Sequence, residues 1–404
     1  MSKIFKVAII GGGFAGLVSA EKLSSALGGE NVLLIERNNR VGKKILATGN
    51  GRGNISNVDL SVDKYHSIKG ADVAFAIEKY GNKSIINYFK GLGVDCSVEE
   101  GKVYPSSFQA NSILDMLRLK LEFLKTEIVV DHKVDSVSRD GQNYLIIANG
   151  EKFFAKQIIF ACGGKVGKQY GTDGTAYSIL QKLGHSVTSL YPSLVQVKTD
   201  TAKIKGLKGL KAQALATLVV DGREVKTFSG DVLFTDYGVS GNAIFYLSAY
   251  IPPNAKCKIK LSFLPDKTQT ELCEFLKQKF KSVTYLGVED ALTGVLNKLI
   301  GKAIIKTCDN VRANGIGAES ISHAVKNFYL DVIGTLGFDY AQVTKGGIVF
   351  SEIDSKTMQS KKQKGIYVVG EMLDVDGDCG GYNLQWAYSS ASVACDGVLA
   401  YENR

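Results

Sequence analysis

The chain is poor in proline, histidine and tryptophan. Five prolines in 404 residues exclude a proline-rich linker protein. Four histidines, none clustered with cysteine, argue against a structural zinc site, and no metal is expected. Seven cysteines lie scattered between Cys96 and Cys395 with no CxxC pair. An odd, scattered set fits reduced thiols better than a disulfide framework, so the expected address is the cytoplasm. Long apolar runs are missing too. The first, from Val7 to Ile10, stops at three glycines, too short for a membrane span or a signal-peptide core. No Ser-His-Asp arrangement or HExxH stands out, which argues against hydrolysis.

What is present is core-forming and basic. Apolar residues make up 45% and charged residues 22%, enough to bury substantial cores and to exclude disorder. The length suggests two or three structural units. Forty-nine Lys+Arg against forty Asp+Glu give a net charge of +9. Such a balance admits an anionic ligand or a nucleic acid without choosing between them. Forty-four glycines exceed the usual share of about 7%, and where they cluster is informative.

Hydrophobic periodicity opens as βαβ. Residues 4–10 form an apolar run suited to a parallel strand buried on both faces, 14–27 have helical periodicity, and 32–35 form a second strand ending at Glu36. Helical patterns follow at 72–90 and 111–125, then short strand candidates from 128 to 161, with Asp140-Gly141 and Asn149-Gly150 as turn signals. Residues 191–264 are mostly β in pattern. Residues 265–332 are mostly helical and lysine-rich, and a helix closes the chain at 384–401. The expected fold class is α/β: a Rossmann-type domain assembled from 1–190 and a return segment 333–404. It is split by a β-rich insertion domain (191–264) and a helical insertion domain (265–332).

Gly11-Gly12-Gly13-Phe14-Ala15-Gly16 is a GxGxxG between a strand and a helix. Gly11 can make the tight turn, Gly13 lets the backbone approach a pyrophosphate, and Gly16 permits close helix–strand packing. The helix N-terminus offers free N–H groups to phosphate. Glu36, twenty positions after Gly16, can accept hydrogen bonds from an adenosine ribose, which disfavours a 2′-phosphate at this site. The motif leaves FAD and NAD open. Residues 42–57 form a second glycine-rich, basic, amide-rich stretch able to wrap another part of an extended anionic ligand. No second GxGxxG with a downstream acid occurs, since Gly163-Gly164-Lys165-Val166-Gly167 has the wrong spacing; a dedicated nicotinamide domain is not expected.

The motifs GGGFAG with Glu36, TGNGRGNISN, FACGG, FTDYGVSG and GEMLDVDGDCGGYNLQWAYSS together resemble the BaiN/YhiN-like flavoproteins, also described as the aminoacetone oxidase family. The resemblance runs from Gly11 to about Ser390 and implies non-covalent FAD as cofactor, with NAD(P)H as a candidate electron donor. It places Gly11, Gly13, Phe14, Ala15 and Gly16 at the pyrophosphate and Glu36 with Arg37 at the adenosine end. Lys44, Thr48, Gly49, Gly51, Arg52 and Asn54 fall on the pyrophosphate and flavin side, together with Ala161 and Gly163. Gly370 and Glu371 would lie near the ribityl–phosphate region. Gly381, Asn383 and Leu384 would set the last helix N-terminus against the flavin, where its N–H groups stabilise negative charge.

Several positions depart from the family pattern. Gly53 stands where a Cys is expected, Asn50 where a Gly is usual, and Cys162 and Cys379 replace threonines. Asp236 and Asn242 occupy positions where His and Pro are frequent. Tyr237, Ser240 and Tyr382 are catalytic candidates only by their place in these motifs. Asp374, Asp376 and Asp378 read as a solvated acidic loop or a hydrogen-bonded turn.

The expected activity is FAD-dependent two-electron chemistry on a small molecule, either NAD(P)H-linked C=C reduction or oxygen-linked amine oxidation. Two alternatives stand beside it: a non-catalytic flavin-binding electron carrier, and a flavoprotein associated with RNA. The second is suggested by Lys203, Lys205, Lys208 and Lys211, then Lys256, Lys258 and Lys260, then Lys277, Lys279 and Lys281. No RNA-binding motif accompanies these lysines, so a nucleic-acid partner is not the expectation. No membrane partner is expected either.

Overall fold

A computed structural model describes residues 3–252, 255–308 and 317–402. The chain divides into two compact units, Met1–Pro192 with Gln342–Arg404, and Ser193–Ala341. Among the described residues no helix is long and apolar enough to cross a membrane.

The first unit is built on a seven-stranded sheet. Its path runs Glu127–Val129, Val32–Ile35, Ile4–Ile10, Glu151–Phe160, Asn143–Ala148, Val134–Asp140, with Ile366–Val368 also paired to Glu151–Phe160. The pairings around Ile4–Ile10 are parallel, as is the late strand's; the strands Asn143–Ala148 and Val134–Asp140 are added antiparallel. Parallel strands are buried on both faces, and Val32–Ile35 is buried at every position. The long strand Glu151–Phe160 changes partners along its length. Its first half pairs with an antiparallel hairpin and its second half joins the parallel core. Helices Phe14–Leu27 and Tyr382–Glu402 contribute to the same hydrophobic cluster, and Cys395 Sγ lies 3.8 Å from the Ser19 carbonyl oxygen. The two ends of the chain therefore share one core.

The second unit is a closed six-stranded antiparallel barrel. Its order is Val197–Thr199, Gly238–Ser240, Arg223–Phe234, Lys211–Val220, Cys257–Phe263 and Phe328–Thr335, returning to the first. Alternate residues such as Cys257, Ile259, Leu261 and Phe263 are buried, the period-two pattern of a strand with one wet face. Helices Gln269–Ser282, Lys298–Ile305 and Ala318–Lys326 place Leu276, Ile304 and Ile321 in the same cluster as the barrel strands. Composition divides this segment at 264/265, whereas the fold gives its strands and helices one core. The physical reason is the last strand, which follows the helices in sequence and pairs with both Cys257–Phe263 and Val197–Thr199.

Candidate functional site

The end of the first strand makes a turn that only glycine permits. Gly11 has φ +104°, and a Cβ there would lie 2.6 Å from the Ala161 carbonyl oxygen. A Cβ on Gly16 would lie 1.9 Å from the Gly11 carbonyl oxygen. Gly13 is different. Nothing lies closer than 4.0 Å to its missing Cβ, so protein packing does not demand glycine there. Gly13 is also the N-cap of the first helix, and no side chain caps it. The first amides of a helix have no partner within it, and no side chain supplies one here. Phe14 is buried and stacks on Phe89 at 6.0 Å. Ala15 is buried beneath Gly370, whose Cβ would lie 3.4 Å from its methyl.

Glu36 is buried and holds this turn. Its Oε2 accepts the Gly12 N–H at 2.7 Å. Its Oε1 accepts the Asn38 N–H at 2.8 Å and the Asn38 side-chain amide at 2.7 Å. A carboxylate has about four acceptor sites, so capacity for a further donor remains. Arg37 turns away from Glu36, pairing with Asp173 at 2.8 Å and donating to the Gly171 carbonyl at 3.2 Å. Burial opposes the Asp173 charge, but the Thr175 hydroxyl and amide and Arg37 outweigh it and hold the carboxyl down at about 2.

Lys44 joins the second glycine stretch to the return segment. Its Nζ donates to Glu371 Oε2 at 2.7 Å and to the Val166 carbonyl at 3.1 Å. Glu371 Oε1 accepts the Thr344 N–H at 2.8 Å. The Thr344 hydroxyl in turn accepts the Lys165 and Val166 N–H groups at 2.8 and 3.0 Å. A Cβ on Gly163 would lie 2.8 Å from the Thr172 methyl. Asn38 and Thr344 lie outside the recognised motifs. Asn38 sits in a polar run after Glu36 that marks it weakly, and Thr344 has no sequence signal.

The Thr48–Asn54 loop meets the start of the last helix. Gly49 and Asn50 both adopt φ 56°, and the Thr48 hydroxyl donates to the Ile45 carbonyl at 2.6 Å. Asn54 is buried, and a Cβ on Gly381 would lie 2.6 Å from Asn54 Oδ1 and 2.3 Å from the Ser56 carbonyl oxygen. Ser56 Oγ donates to Gln385 Oε1 at 2.6 Å, and Asn57 Nδ2 donates to the Gly380 carbonyl at 3.0 Å. Asn383 folds back on its own turn, accepting the Gly377 N–H and donating to the Gly377 carbonyl, both at 2.8 Å. Leu384 packs against the core. Gly51 has open space to 3.8 Å. Arg52 pairs with Glu99 and lies over the Tyr104 and Phe108 rings at 4.4 and 4.6 Å.

The acidic run before the last helix is buried, not solvated. Asp374 accepts from the Ser67 hydroxyl at 2.9 Å and the Lys69 N–H at 2.9 Å, and Asp378 pairs with His66 at 2.7 Å. Asp374 and Asp378 thereby tie the turn that leads into the helix to residues 66–69. The Tyr382 hydroxyl donates to the Asp59 carbonyl at 3.0 Å. Burial pushes the Cys162 thiol up to about 12 and raises Cys379 as well, which keeps both protonated and poorly nucleophilic.

Tyr237 and Ser240 belong to the barrel unit. Tyr237 is half-buried, its carbonyl accepting the Thr199 N–H at 3.1 Å, and Ser240 is buried on the strand Gly238–Ser240. Asp236 is exposed and pairs with Lys208 at 2.7 Å. Asn242 Oδ1 accepts the Asp231 N–H at 2.7 Å. Much of the lysine array is likewise spoken for: Lys211 pairs with Asp231, Lys258 with Asp331, Lys260 with Glu224 and Lys277 with Glu274. Lys203 and Lys279 donate to backbone carbonyls.

The family model described as HI0933-like protein Rossmann domain matches residues 5–397. The chain belongs to this family. Among proteins of known function, it is 31% identical over 403 residues to the 3-dehydro-bile acid delta(4,6)-reductase of Clostridium scindens, covering 96% of this chain and 98% of that one. It is 29% identical to the ribosomal RNA dihydrouridine synthase of Haemophilus influenzae, covering 98% of each. Outside the HI0933-like family, the fold is similar to that of 3-ketosteroid-delta4-(5alpha)-dehydrogenase from Rhodococcus jostii. That likeness has a TM-score of 0.50 at 13% identity and covers 98% of this chain and 97% of the other.

Proposed function

We propose that this chain reduces a carbon–carbon double bond conjugated to a carbonyl, with bound FAD as the redox group and NAD(P)H as the reductant. Membership in the family over nearly the whole chain, with a full-length relative named as a reductase, makes it an FAD-dependent oxidoreductase. The observation that carries the finer reading is chemical. A delta(4,6)-reductase of a 3-dehydro-bile acid and a dihydrouridine synthase both saturate a double bond next to a carbonyl. No observation here favours amine oxidation.

The residues of the sheet unit fit FAD. Gly13 leaves a cradle that a Cβ would begin to fill, at the uncapped end of a helix. In this reading the free amides of that helix receive the pyrophosphate, and Glu36 keeps an acceptor for the ribose. Lys44, fixed by Glu371, offers its positive charge on the phosphate and ribityl side. The turn at Gly380-Gly381, with Gly381 packed on Asn54 and Ser56, would orient the start of the last helix toward the ring system. FAD, when bound, supplies the two-electron transfer. The amides at residues 381–384 would stabilise negative charge there, and the protonated Cys162 and Cys379 thiols stay out of the redox chemistry. Tyr237 and Ser240 remain candidates for substrate contact. Tyr382 is the weaker one, because its hydroxyl is already donated to Asp59.

A small molecule is the favoured substrate. A uridine in RNA is the second reading, carried by relatives of 29% and 27% identity, both named ribosomal RNA dihydrouridine synthase. The pairing of the insertion lysines with acids and carbonyls weakens it, since a phosphate-binding face needs uncompensated charge. The deciding experiment is anaerobic. The flavin is bleached with NAD(P)H, and a 3-oxo-4-ene steroid or a uridine-containing ribosomal RNA fragment is then added; aminoacetone is added to a separate sample of the oxidised flavin. Colour returning with the steroid or the RNA, with the saturated product formed, supports the proposal and names the branch. If neither restores colour, or if aminoacetone bleaches the oxidised flavin, the reading fails.

A further inference from the structure

Beside the glycine turn lies an open cleft of about 410 Å³ lined by Arg40, Lys43, Leu46, Ala47, Gln169 and Tyr170. Its volume falls in the range of roughly 300–1,000 Å³ common for small-molecule sites. Two cations, one aromatic ring, one amide and a short apolar floor line it, and no acid does. Arg40 and Lys43 make no ion pair among the described residues, in contrast to their neighbours Arg37 and Lys44, which are held by Asp173 and Glu371.

The walls are fixed by the Glu36 network. Asn38, held by Glu36, donates to the Tyr170 carbonyl at 2.9 Å. The Tyr170 N–H donates to the Gly167 carbonyl at 2.8 Å. Gly167 has φ +100°, and a Cβ there would lie 3.3 Å from the Tyr170 ring and 3.6 Å from the Lys44 stem. On the other side, the Ala47 N–H donates to the Lys44 carbonyl at 3.2 Å. The Gly42 N–H donates to the Gly12 carbonyl at 2.8 Å, so Tyr170 and the Arg40–Lys43 segment are held in place before any ligand arrives.

We propose that this cleft binds the phosphorylated adenosine end of a second nucleotide, the reductant, and prefers one carrying a 2′-phosphate. The inference rests on the reading above that a nicotinamide nucleotide supplies the electrons. Arginine forks a phosphate with two parallel hydrogen bonds, and lysine adds a point charge. A tyrosine ring and an amide suit the face and edge of adenine. A 2′-phosphate carries close to two negative charges, which two uncompensated cations match and a bare ribose does not. The cleft is separate in chemistry from the Glu36 site, whose buried carboxylate repels a 2′-phosphate.

The test uses the FAD-loaded protein and three probes: 2′,5′-ADP, 5′-AMP, and 3′,5′-ADP, which is the end of coenzyme A. Calorimetry is expected to show 2′,5′-ADP binding at least tenfold tighter than the other two. The Arg40→Ala/Lys43→Ala double variant is expected to lose at least tenfold of that affinity with an unchanged flavin spectrum and FAD content. Equal binding of 2′,5′-ADP and 5′-AMP, tighter binding of 3′,5′-ADP, or an unaltered double variant would overturn the proposal. Loss of FAD from the variant would also overturn it, by assigning the cleft to FAD itself. If 2′,5′-ADP binds as expected but NADPH does not bleach the flavin, the site stands and the reductase reading falls.

Discussion

In the sheet unit, Gly11 and Gly16 sit where a Cβ would meet backbone oxygens at 2.6 and 1.9 Å, whereas Gly206, Gly209, Gly222 and Gly337 of the barrel unit have nothing within 4 Å. The first pair are forced by strand and helix approaching within contact. The second group supply positive φ in exposed turns. The buried charges divide the units more cleanly, since Gly238 and Gly241 of the barrel also approach backbone oxygens, at 2.4 and 2.3 Å. Asp374, Asp376, Asp378 and Glu36 of the sheet unit are all under a tenth exposed, while Asp236 and Lys208 of the barrel pair in the open. Buried carboxylates need fixed donors, so these side chains hold the turns of the sheet unit in set positions. The barrel is closed by ordinary alternation, and none of its described charged residues is buried to that degree.

That contrast can be broken by mutation. Gly16→Ala forces backbone apart and is expected to cost about 3 kcal/mol or more, with loss of flavin-loaded protein. Gly222→Ala is only strained in φ and is expected to cost about 1 kcal/mol. Urea unfolding compares them, and equal losses would end the distinction. Next in size, Glu36→Gln removes a charged acceptor from the Gly12 and Asn38 donors. A drop of about 1.5–3 kcal/mol with loss of flavin is expected, whereas Asp236→Asn should leave both unfolding and flavin content unchanged.

The pH dependence should also come from the sheet unit. Burial lowers the pKa of His185, although Glu352 beside it, at 3.1 Å, works the other way. Its Nε2 lies 2.8 Å from Ser360 Oγ. A group lowered on folding destabilises the native state once the unfolded form takes up the proton. Thermal stability is therefore expected to fall as pH drops below the ordinary histidine value of about 6.5. His185→Gln should flatten the melting temperature between pH 7 and pH 5. Burial also opposes the Glu352 charge, but Lys362, Ser186 and His185 hold its carboxyl down at about 2, so its contribution persists until far lower pH. The smallest effect belongs to the barrel. Thr268 and Glu271 form a capping box on the helix Gln269–Ser282, and Thr268→Ala is expected to cost about 1 kcal/mol with flavin content unchanged.

The opening strand, helix and strand were legible because period, glycine spacing and the terminal acid agree at every step. The closing helix was legible for the same reason, through its preceding double glycine. The strand Phe328–Thr335 was hidden, since most of it falls in the stretch 265–332 that reads as mostly helical, and only Asn327 separates it from the helix Ala318–Lys326. Among the short strand candidates from 128 to 161, residues 151–160 prove to be one long strand, whose pattern of exposure changes as it passes from an antiparallel to a parallel partner. Within the site, Gly11, Gly16 and Glu36 follow from local rules. The links from Ser56 to Gln385, His66 to Asp378 and Lys44 to Thr344 through Glu371 join segments some three hundred residues apart. Such pairings are set by tertiary packing, and no local pattern encodes them.

The most direct measurement is a titration of apoprotein with FAD, on the native chain and on Gly13→Ala, with apoprotein melting recorded for both. The open space at Gly13 predicts that the variant melts with the native chain but loses FAD, while the native chain takes up one FAD per chain. A native chain that takes up no FAD, or a Gly13→Ala chain that binds it equally well, would contradict the account.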